Sequence, residues 1–381
     1  MRSFLQRLLG LNARELRRAL PLVGYLFLAM AGSVASKASR DALFLERYRA
    51  VDLPYADIAI ALIVGVVVSV YIRAGQRWNI RNLQVASLLA FAASALGFWW
   101  WASTRSDDNG TLFLLIYVWV GVLSVLAPAQ VWMLANVVLT TREAKRSFGV
   151  IGSGAILGWI VGGLATRVAV GQYGTAFMLA LTAGAQLASV ALVEMVWRQR
   201  PVRDAGDAPA GAPSAGAGGV WSAIGDIAGS RYLKAISAVV LLSSLATTVE
   251  AWQFKAIAKA AFPATDDLTM FFGTFNMSAG LASLALQLLL TGRVLRRAGI
   301  GVTLFIVPVA LAATSMGLLV TGTLLAATLL RGSDRCCATR STRRRSSCCI
   351  SRCPRSRPSS SSRSWTRSST GWETASGASS S

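Results

Sequence analysis

The sequence predicts an all-α polytopic membrane protein. Of its 381 residues, 54% are hydrophobic and only 14% are charged, which is far from the balance of a soluble globular domain. A helix needs about 20 apolar residues to cross a hydrocarbon core of about 30 Å. Stretches of that kind lie at 19–36, 56–73, 83–102, 111–138, 147–169, 175–196, 233–252, 270–291 and 301–320, and Leu324–Leu330 begin another. We therefore expect nine to ten transmembrane helices within this sequence.

The loops between these stretches predict the orientation. Basic residues precede helix one and follow helices two, four and eight, whereas alternate loops, such as 103–110 with Asp107 and Asp108, are neutral or acidic. The basic positions are Arg2, Arg7, Arg14, Arg17, Arg18, Arg73, Arg77, Arg81, Arg142, Lys145, Arg146, Arg293, Arg296 and Arg297. By the positive-inside rule, residues 1–18 form a cytoplasmic N-terminus of a multi-pass protein in a bacterial inner membrane. The part from Arg331 onward carries eleven arginines against Asp334 and Glu373, so about +12 of the net charge of +21 belongs to the membrane part. That charge indicates loop topology and contact with membrane lipid, not nucleic-acid binding.

A polar gap divides the apolar stretches into two groups. Residues 198–232 include Asp207–Gly219, a run dominated by Ala, Gly, Pro and Ser that is typical of a flexible linker. We expect a six-helix bundle at 19–197, a cytoplasmic linker at 198–232, and a truncated C-terminal bundle at 233–334. Six plus six helices joined by a long cytoplasmic linker is the plan of major facilitator transporters, which predicts twelve helices for a complete protein.

From Arg331 the composition changes abruptly. All five cysteines, Cys336, Cys337, Cys348, Cys349 and Cys353, lie in this part among arginines and serines, in a pattern that fits neither a disulfide scaffold nor a zinc site. One interpretation is a disordered basic tail at 335–381. The other is a shifted reading frame, because Ser346–Pro354 read one base earlier can encode Glu-Leu-Leu-Leu-Tyr-Leu-Pro-Val-Pro. We favour the frameshift and expect the 381-residue form to be inactive in transport.

No feature of the sequence predicts an enzyme. There are no histidines, which excludes a histidine proton relay or a histidine metal ligand, and no phosphate-binding loop with Gly-Lys-Ser/Thr is present. Gly152–Gly158 superficially resembles a dinucleotide loop, but that fingerprint requires a preceding strand in a soluble βαβ unit. We predict no catalytic residues, no metal and no cofactor.

A charged group directly follows the apolar part of helix one. If the helix continues, Lys37, Arg40 and Asp41 lie within about one turn and share a face. Ionisable residues inside a helical bundle are costly and usually mark a substrate pathway, and Lys and Arg are the side chains that hold phosphate oxygens. The alternative is a group of side chains that extend to the outer membrane interface.

A second candidate group lies in helix seven. Glu250 ends a run sprinkled with Ser and Thr, and Lys255 follows five residues later. A carboxylate here could pair with a cation in the substrate-free state and release it when a phosphate arrives, which is one physical basis for obligatory exchange. The alternative is an interfacial belt of Glu, Trp and Lys.

Glycines recur at every fourth residue of helix five, at Gly154, Gly158 and Gly162. In an apolar helix this spacing is typical of a surface that lets a second helix approach closely. We predict a packing role for these glycines and no contact with ligand.

Several of these segments together resemble the bacterial and plastid ATP/ADP transporter family. The resemblance lies in Lys37-Ala-Ser-Arg-Asp-Ala-Leu43, in Ala135-Asn136 followed by Glu143-Ala-Lys-Arg-Ser-Phe-Gly-Val-Ile-Gly-Ser-Gly154, and in Val249-Glu-Ala-Trp252. It runs from about Leu20 to Asp334, and the Asn136 to Gly154 block is its most specific part. The shifted phrase Glu-Leu-Leu-Leu-Tyr-Leu-Pro also resembles a segment found late in that family.

The resemblance implies an antiporter distantly related to the major facilitator fold. It places Lys37, Arg40 and Asp41 on the substrate path, matches Glu250 to an acidic residue needed for transport, and adds Asn136 to the candidate substrate-binding residues. Charged positions are sparser here than in established nucleotide exchangers, so a shared fold is a safer inference than a shared substrate. A transporter of another organic anion and a non-transporting membrane scaffold or partner subunit stay open, as does the oligomeric state.

Overall fold

In the computed structural model of this chain, residues 13–104, 110–199, 229 and 231–285 are described. These residues form helices and short connections without any β-strand. The helices are α1 (Ala13–Arg47), α2 (Leu53–Arg77), α3 (Ile80–Thr104), α4 (Gly110–Val138), α5 (Thr141–Tyr173), α6 (Phe177–Arg198), α7 (Arg231–Ala261) and α8 (Thr265–Ala285), with a 3₁₀ turn at Ala50–Asp52. Seven of the described helices are long and apolar enough to cross a bilayer. The prediction of an all-α polytopic membrane protein is therefore confirmed.

Helix α1 is longer than its apolar stretch predicts. The stretch ends at residue 36, whereas the helix continues to Arg47 and includes Lys37, Arg40 and Asp41. Hydropathy alone underestimates the length of the helix because charged residues interrupt its added turns, although these turns also bury Ala42, Leu43, Phe44 and Leu45. The condition that this charged group lies on a continuous helix is therefore met.

Helix α5 begins six residues before its predicted apolar stretch, with a capping box. The backbone N–H of Glu143 donates to the Thr140 hydroxyl (3.4 Å), and the Thr140 backbone N–H donates to Oε2 of Glu143 (3.1 Å). Such a reciprocal pair satisfies two backbone donors that a helix start otherwise leaves open. Glu143 also binds Nη1 of Arg18 at 2.9 Å, which joins the start of α5 to the start of α1.

Helix α1 packs against α4, α5 and α6, and α3 packs against α6. A buried polar chain runs through the apolar core between α1, α3 and α4. Tyr25 donates to Oε1 of Gln130 (3.3 Å), Gln84 donates to the Gln130 carbonyl (2.8 Å), and Gln130 donates to Ser87 (2.8 Å). Hydrogen bonds between helices are a common source of specific packing in lipid.

The glycines of α5 lie against the α1 backbone. A Cβ atom at Gly154 or Gly158 would lie 2.5 Å from the carbonyl oxygen of Val23 or Phe27, and one at Gly162 would lie 2.8 Å from Cα of Ala31. No side chain fits at such distances, so the two helices approach closely only because these positions lack one. Helices α5 and α8 also approach closely at glycines, since a Cβ at Gly163 would lie 2.6 Å from the Gly273 carbonyl oxygen.

The other predicted segments lie outside the described residues. They are the first part of the N-terminus at 1–12, most of the linker at 198–232, the stretch at 301–320, the apolar start at Leu324, and the tail at 335–381. The division into two bundles and the reading-frame shift stay predictions.

Candidate functional site

The charged part of α1 lines a cavity of about 120 Å³ between α1, α7 and α8. Positions 37, 40 and 41 are three and four residues apart, so they share one helix face, as their spacing predicts. The lining residues are Lys37, Ala38, Arg40, Asp41, Ala251, Phe254, Lys255, Phe272, Phe275 and Asn276. Three of these side chains are basic and one is acidic.

Asp41 joins the cations of two helices. Its Oδ1 atom accepts from Nε of Arg40 at 3.1 Å and lies 3.1 Å from Nζ of Lys255, which α7 supplies. The side chains of Arg40, Asp41 and Lys255 are only 10%, 14% and 11% exposed. Removal of one partner from a buried ion pair strongly destabilises a protein, because the other charge is left without compensation. The burial of Arg40 and Lys255 differs from the interfacial arrangement considered above.

Tyr117 on α4 organises the two cations. The Arg40 guanidinium lies 4.4 Å from the centre of the Tyr117 ring and donates to the Tyr117 backbone carbonyl at 3.4 Å. The Tyr117 hydroxyl accepts from Lys255 (3.2 Å) and donates to Oδ1 of Asp57 on α2 (2.9 Å). One aromatic side chain thus contacts both cations through different parts of its surface, its face and its hydroxyl.

The cavity lining also contains three phenylalanines in mutual contact. Phe254 contacts Phe275 with 4.8 Å between ring centres, and Phe272 lies next to them. Asn276 is buried beside these rings, and its amide donates to the Phe272 carbonyl at 2.7 Å. The lining of the cavity therefore combines fixed positive charge with apolar ring surface.

The other two candidates do not line the cavity. Glu250 is buried (7% exposed) on α7, four residues before Phe254 of the cavity lining and about 140° from Lys255 around the helix. Asn136 is exposed near the end of α4, and at 1.5 Å per residue it lies about 28 Å along that helix from Tyr117. The structure thus brings Lys37, Arg40, Asp41 and Lys255 together and does not bring Asn136 to them.

Sequence reasoning missed Tyr117 and Asp57. Tyr117 stands inside a strongly apolar run of α4, where a tyrosine is expected simply as part of a membrane helix, and Asp57 lies in the first turns of α2. The signal that could have identified Asp57 is a carboxylate within an apolar stretch, since such residues mark functional positions in membrane helices. Among the described residues there is no group of three His, Cys, Asp or Glu side chains that could hold a metal ion.

The fold and the site together define a multi-pass, all-α membrane protein with a charged cavity between its helices. Residues 217–328 match the family model described as TLC ATP/ADP transporter. The predicted resemblance is thereby confirmed for the part of the chain that contains Glu250 and Lys255, whereas Lys37, Arg40 and Asn136 lie outside the match. No curated protein matches the chain.

Among solved structures, the chain aligns with a bacterial homologue of the human lysosomal transporter Spinster, in an inward-facing and unoccupied conformation. The two chains are 12% identical, the alignment covers 87% of this chain and 75% of the other, and the TM-score is 0.46. The family match supports a membrane transporter.

Proposed function

We propose that this chain is a transporter of a small organic phosphate, with a nucleotide as the first candidate, that works by alternating access and is not an enzyme. The observation that carries the proposal is the cavity that Lys37, Arg40, Asp41 and Lys255 line. A lining with three basic side chains and one acidic side chain favours an anion as the ligand. Phosphate oxygens suit both the planar fork of Arg and the compact ammonium of Lys.

The size of the cavity indicates which part of the substrate it takes. Pockets for whole organic ligands usually enclose about 300 to 1,000 Å³, whereas this cavity encloses about 120 Å³. The space therefore suits a phosphoryl group better than a whole nucleotide. A ring attached to that group would meet the phenylalanines of the lining, where aromatic stacking tolerates different bases.

Contacts beside the cavity support a change of access. The Trp252 indole donates to the Ala50 carbonyl at 2.6 Å, and the Thr265 hydroxyl donates to Oε2 of Glu46 at 3.0 Å. The first bond joins the α1–α2 turn to α7, and the second joins the last turn of α1 to the start of α8. They cover the end of the site to which α1 leads, so substrate entry from that end would require them to break. In transporters of this general kind, helix groups move against each other around a central site.

We further propose that the N-terminus is cytoplasmic and that the protein lies in a bacterial inner membrane. The basic loops predict this orientation. In it, the Arg40 cavity lies toward the non-cytoplasmic side, and the contacts of Trp252 and Thr265 separate it from that side. Membrane lipid is then the immediate surrounding, and the substrate reaches the cavity from the cytoplasm.

The test is binding of labelled, Mg²⁺-free ADP to the 381-residue chain in lipid nanodiscs. We expect saturable binding, and we expect Lys37→Ala to weaken it about tenfold, the effect of one lost hydrogen bond between charged groups. Lys234→Ala is the matched control, because Lys234 is exposed on α7. If neither ADP nor inorganic phosphate binds to the wild-type chain, the proposed substrate class is wrong.

Exchange is then measured in proteoliposomes, with the form whose reading frame is restored from Arg331 onward. Uptake of labelled ADP that requires internal ADP or phosphate would support the antiporter. ADP binding without any exchange would instead favour a membrane protein that binds the ligand without transporting it.

A further inference from the structure

Asp41 occupies the point at which the cations of the cavity converge. Nε of Arg40 and Nζ of Lys255 each lie 3.1 Å from the same oxygen, Oδ1 of Asp41. Two cationic donors on one oxygen is also how a protein holds one oxygen of a phosphate. The carboxylate therefore stands where the oxygen of a bound anion would stand.

The geometry points to Asp41 as an internal occupant of the anion site, which a substrate phosphoryl group displaces. This inference rests on the proposed function. It adds which group binds the cations when no substrate is present, and which ion pairs substrate binding must break. A phosphoryl group at neutral pH carries about 1.5 to 2 negative charges and three acceptor oxygens. A carboxylate carries one charge and two oxygens, so the phosphoryl group can satisfy more donors at once.

The cations are held in place without Asp41. The Arg40 guanidinium lies over the Tyr117 ring, and Lys255 donates to the Tyr117 hydroxyl. If Asp41 releases them, both donors still have Tyr117 as a partner that holds them at the edge of the cavity. Groups that are already oriented bind a ligand with a smaller loss of conformational freedom. Displacement of Asp41 thus exposes a prepared pair of donors.

The exchange of partners also acts on the helices. Asp41 belongs to α1 and Lys255 to α7, so their ion pair joins two helices, whereas Arg40 and Asp41 are neighbours on α1. When a phosphoryl group binds Lys255 in place of Asp41, the direct ion pair between α1 and α7 is lost. Anion binding would therefore loosen the contact between α1 and α7 at the end of the site that Trp252 also covers.

The experiment compares ADP binding and thermal unfolding of the 381-residue chain with the variant Asp41→Asn, both in nanodiscs. Without its internal competitor the site should bind ADP about tenfold more tightly, the equivalent of one hydrogen bond between charged groups. ADP should also raise the melting temperature of Asp41→Asn more than that of the wild type. The matched control is Asp267→Asn, which makes the same chemical change at an exposed position of α8 and should leave ADP affinity unchanged.

Weaker or unchanged ADP binding by Asp41→Asn, with normal binding by the wild type, overturns this inference and leaves the proposed function intact. A wild type that binds neither ADP nor inorganic phosphate overturns both. If Asp41→Asn does not fold, Lys255→Met carries the test, because it removes the cation that Asp41 shares with α7. We expect about tenfold weaker ADP binding for Lys255→Met, and unchanged binding also overturns the inference.

Discussion

Replacement of Tyr117 by Phe tests whether this side chain organises the site. The change removes the hydroxyl that accepts from Lys255 at 3.2 Å and donates to Asp57 at 2.9 Å, and it keeps the ring 4.4 Å from the Arg40 guanidinium. A hydrogen bond to a charged group contributes about 1.5 to 3 kcal/mol. Because Lys255 keeps Asp41 as a partner, we expect Tyr117→Phe to lower the free energy of unfolding by about 2 kcal/mol, near the lower end of that range.

The assay is thermal unfolding in nanodiscs together with ADP binding. At about 2 to 4 °C per kcal/mol for a domain of this size, Tyr117→Phe should lower the melting temperature by about 4 to 8 °C. ADP binding should weaken about tenfold, because Lys255 loses a contact that fixes its position at the cavity. Tyr173→Phe, at an exposed tyrosine that ends α5, is the matched control. Wild-type stability and affinity in Tyr117→Phe would refute the view that the hydroxyl orients Lys255.

Two further changes test the packing around the site, each by thermal unfolding. Gly158→Ala places a Cβ 2.5 Å from the Phe27 carbonyl oxygen and should lower the free energy of unfolding by about 1 to 3 kcal/mol. The control is Gly184→Ala, where the added Cβ meets no atom within 4 Å outside its own helix backbone, and it should have a far smaller effect. Equal effects of the two changes would contradict close α1–α5 packing. Asp266→Ala removes an acceptor that Thr175 binds through its backbone N–H (2.9 Å) and its hydroxyl (2.6 Å). The loss should lower the melting temperature by about 2 to 4 °C, whereas the control Asp267→Ala should leave it unchanged. An unchanged melting temperature of Asp266→Ala would show that the two hydrogen bonds to Thr175 do not stabilise the protein.

The helices could be predicted from the sequence because lipid imposes a simple rule of length and hydropathy. Helix ends were less predictable, and α1 shows why. Its last turns carry charge, so hydropathy ends the helix early, whereas the structure continues it. There Asp41 pairs with Lys255, and the Phe44 ring contacts the Tyr117 ring with 4.6 Å between ring centres. Only the packed bundle supplies those partners.

The candidate site, like the helices, was predictable from the sequence only in part. Spacing along one helix was enough to group Lys37, Arg40 and Asp41 on one face. The addition of Tyr117 required knowledge of which face of α4 meets α1, and nothing local in the sequence contains that information. Asn136 illustrates the opposite case, since it entered the candidate set by resemblance alone and lies exposed, far along α4 from the cavity.

The length of α1 makes the candidate site sensitive to the thickness of the lipid around it. The helix has 35 residues, about 52 Å at 1.5 Å per residue, against a hydrocarbon core of about 30 Å. Such a helix must tilt or extend into the headgroup region, and the cations near its far end then lie close to the boundary where water is available. A thinner bilayer would move Arg40 and Lys255 toward water and lower the cost of separating them from Asp41. If a substrate displaces Asp41 as we propose, the lipid composition of the host membrane sets part of the energy that substrate binding must overcome.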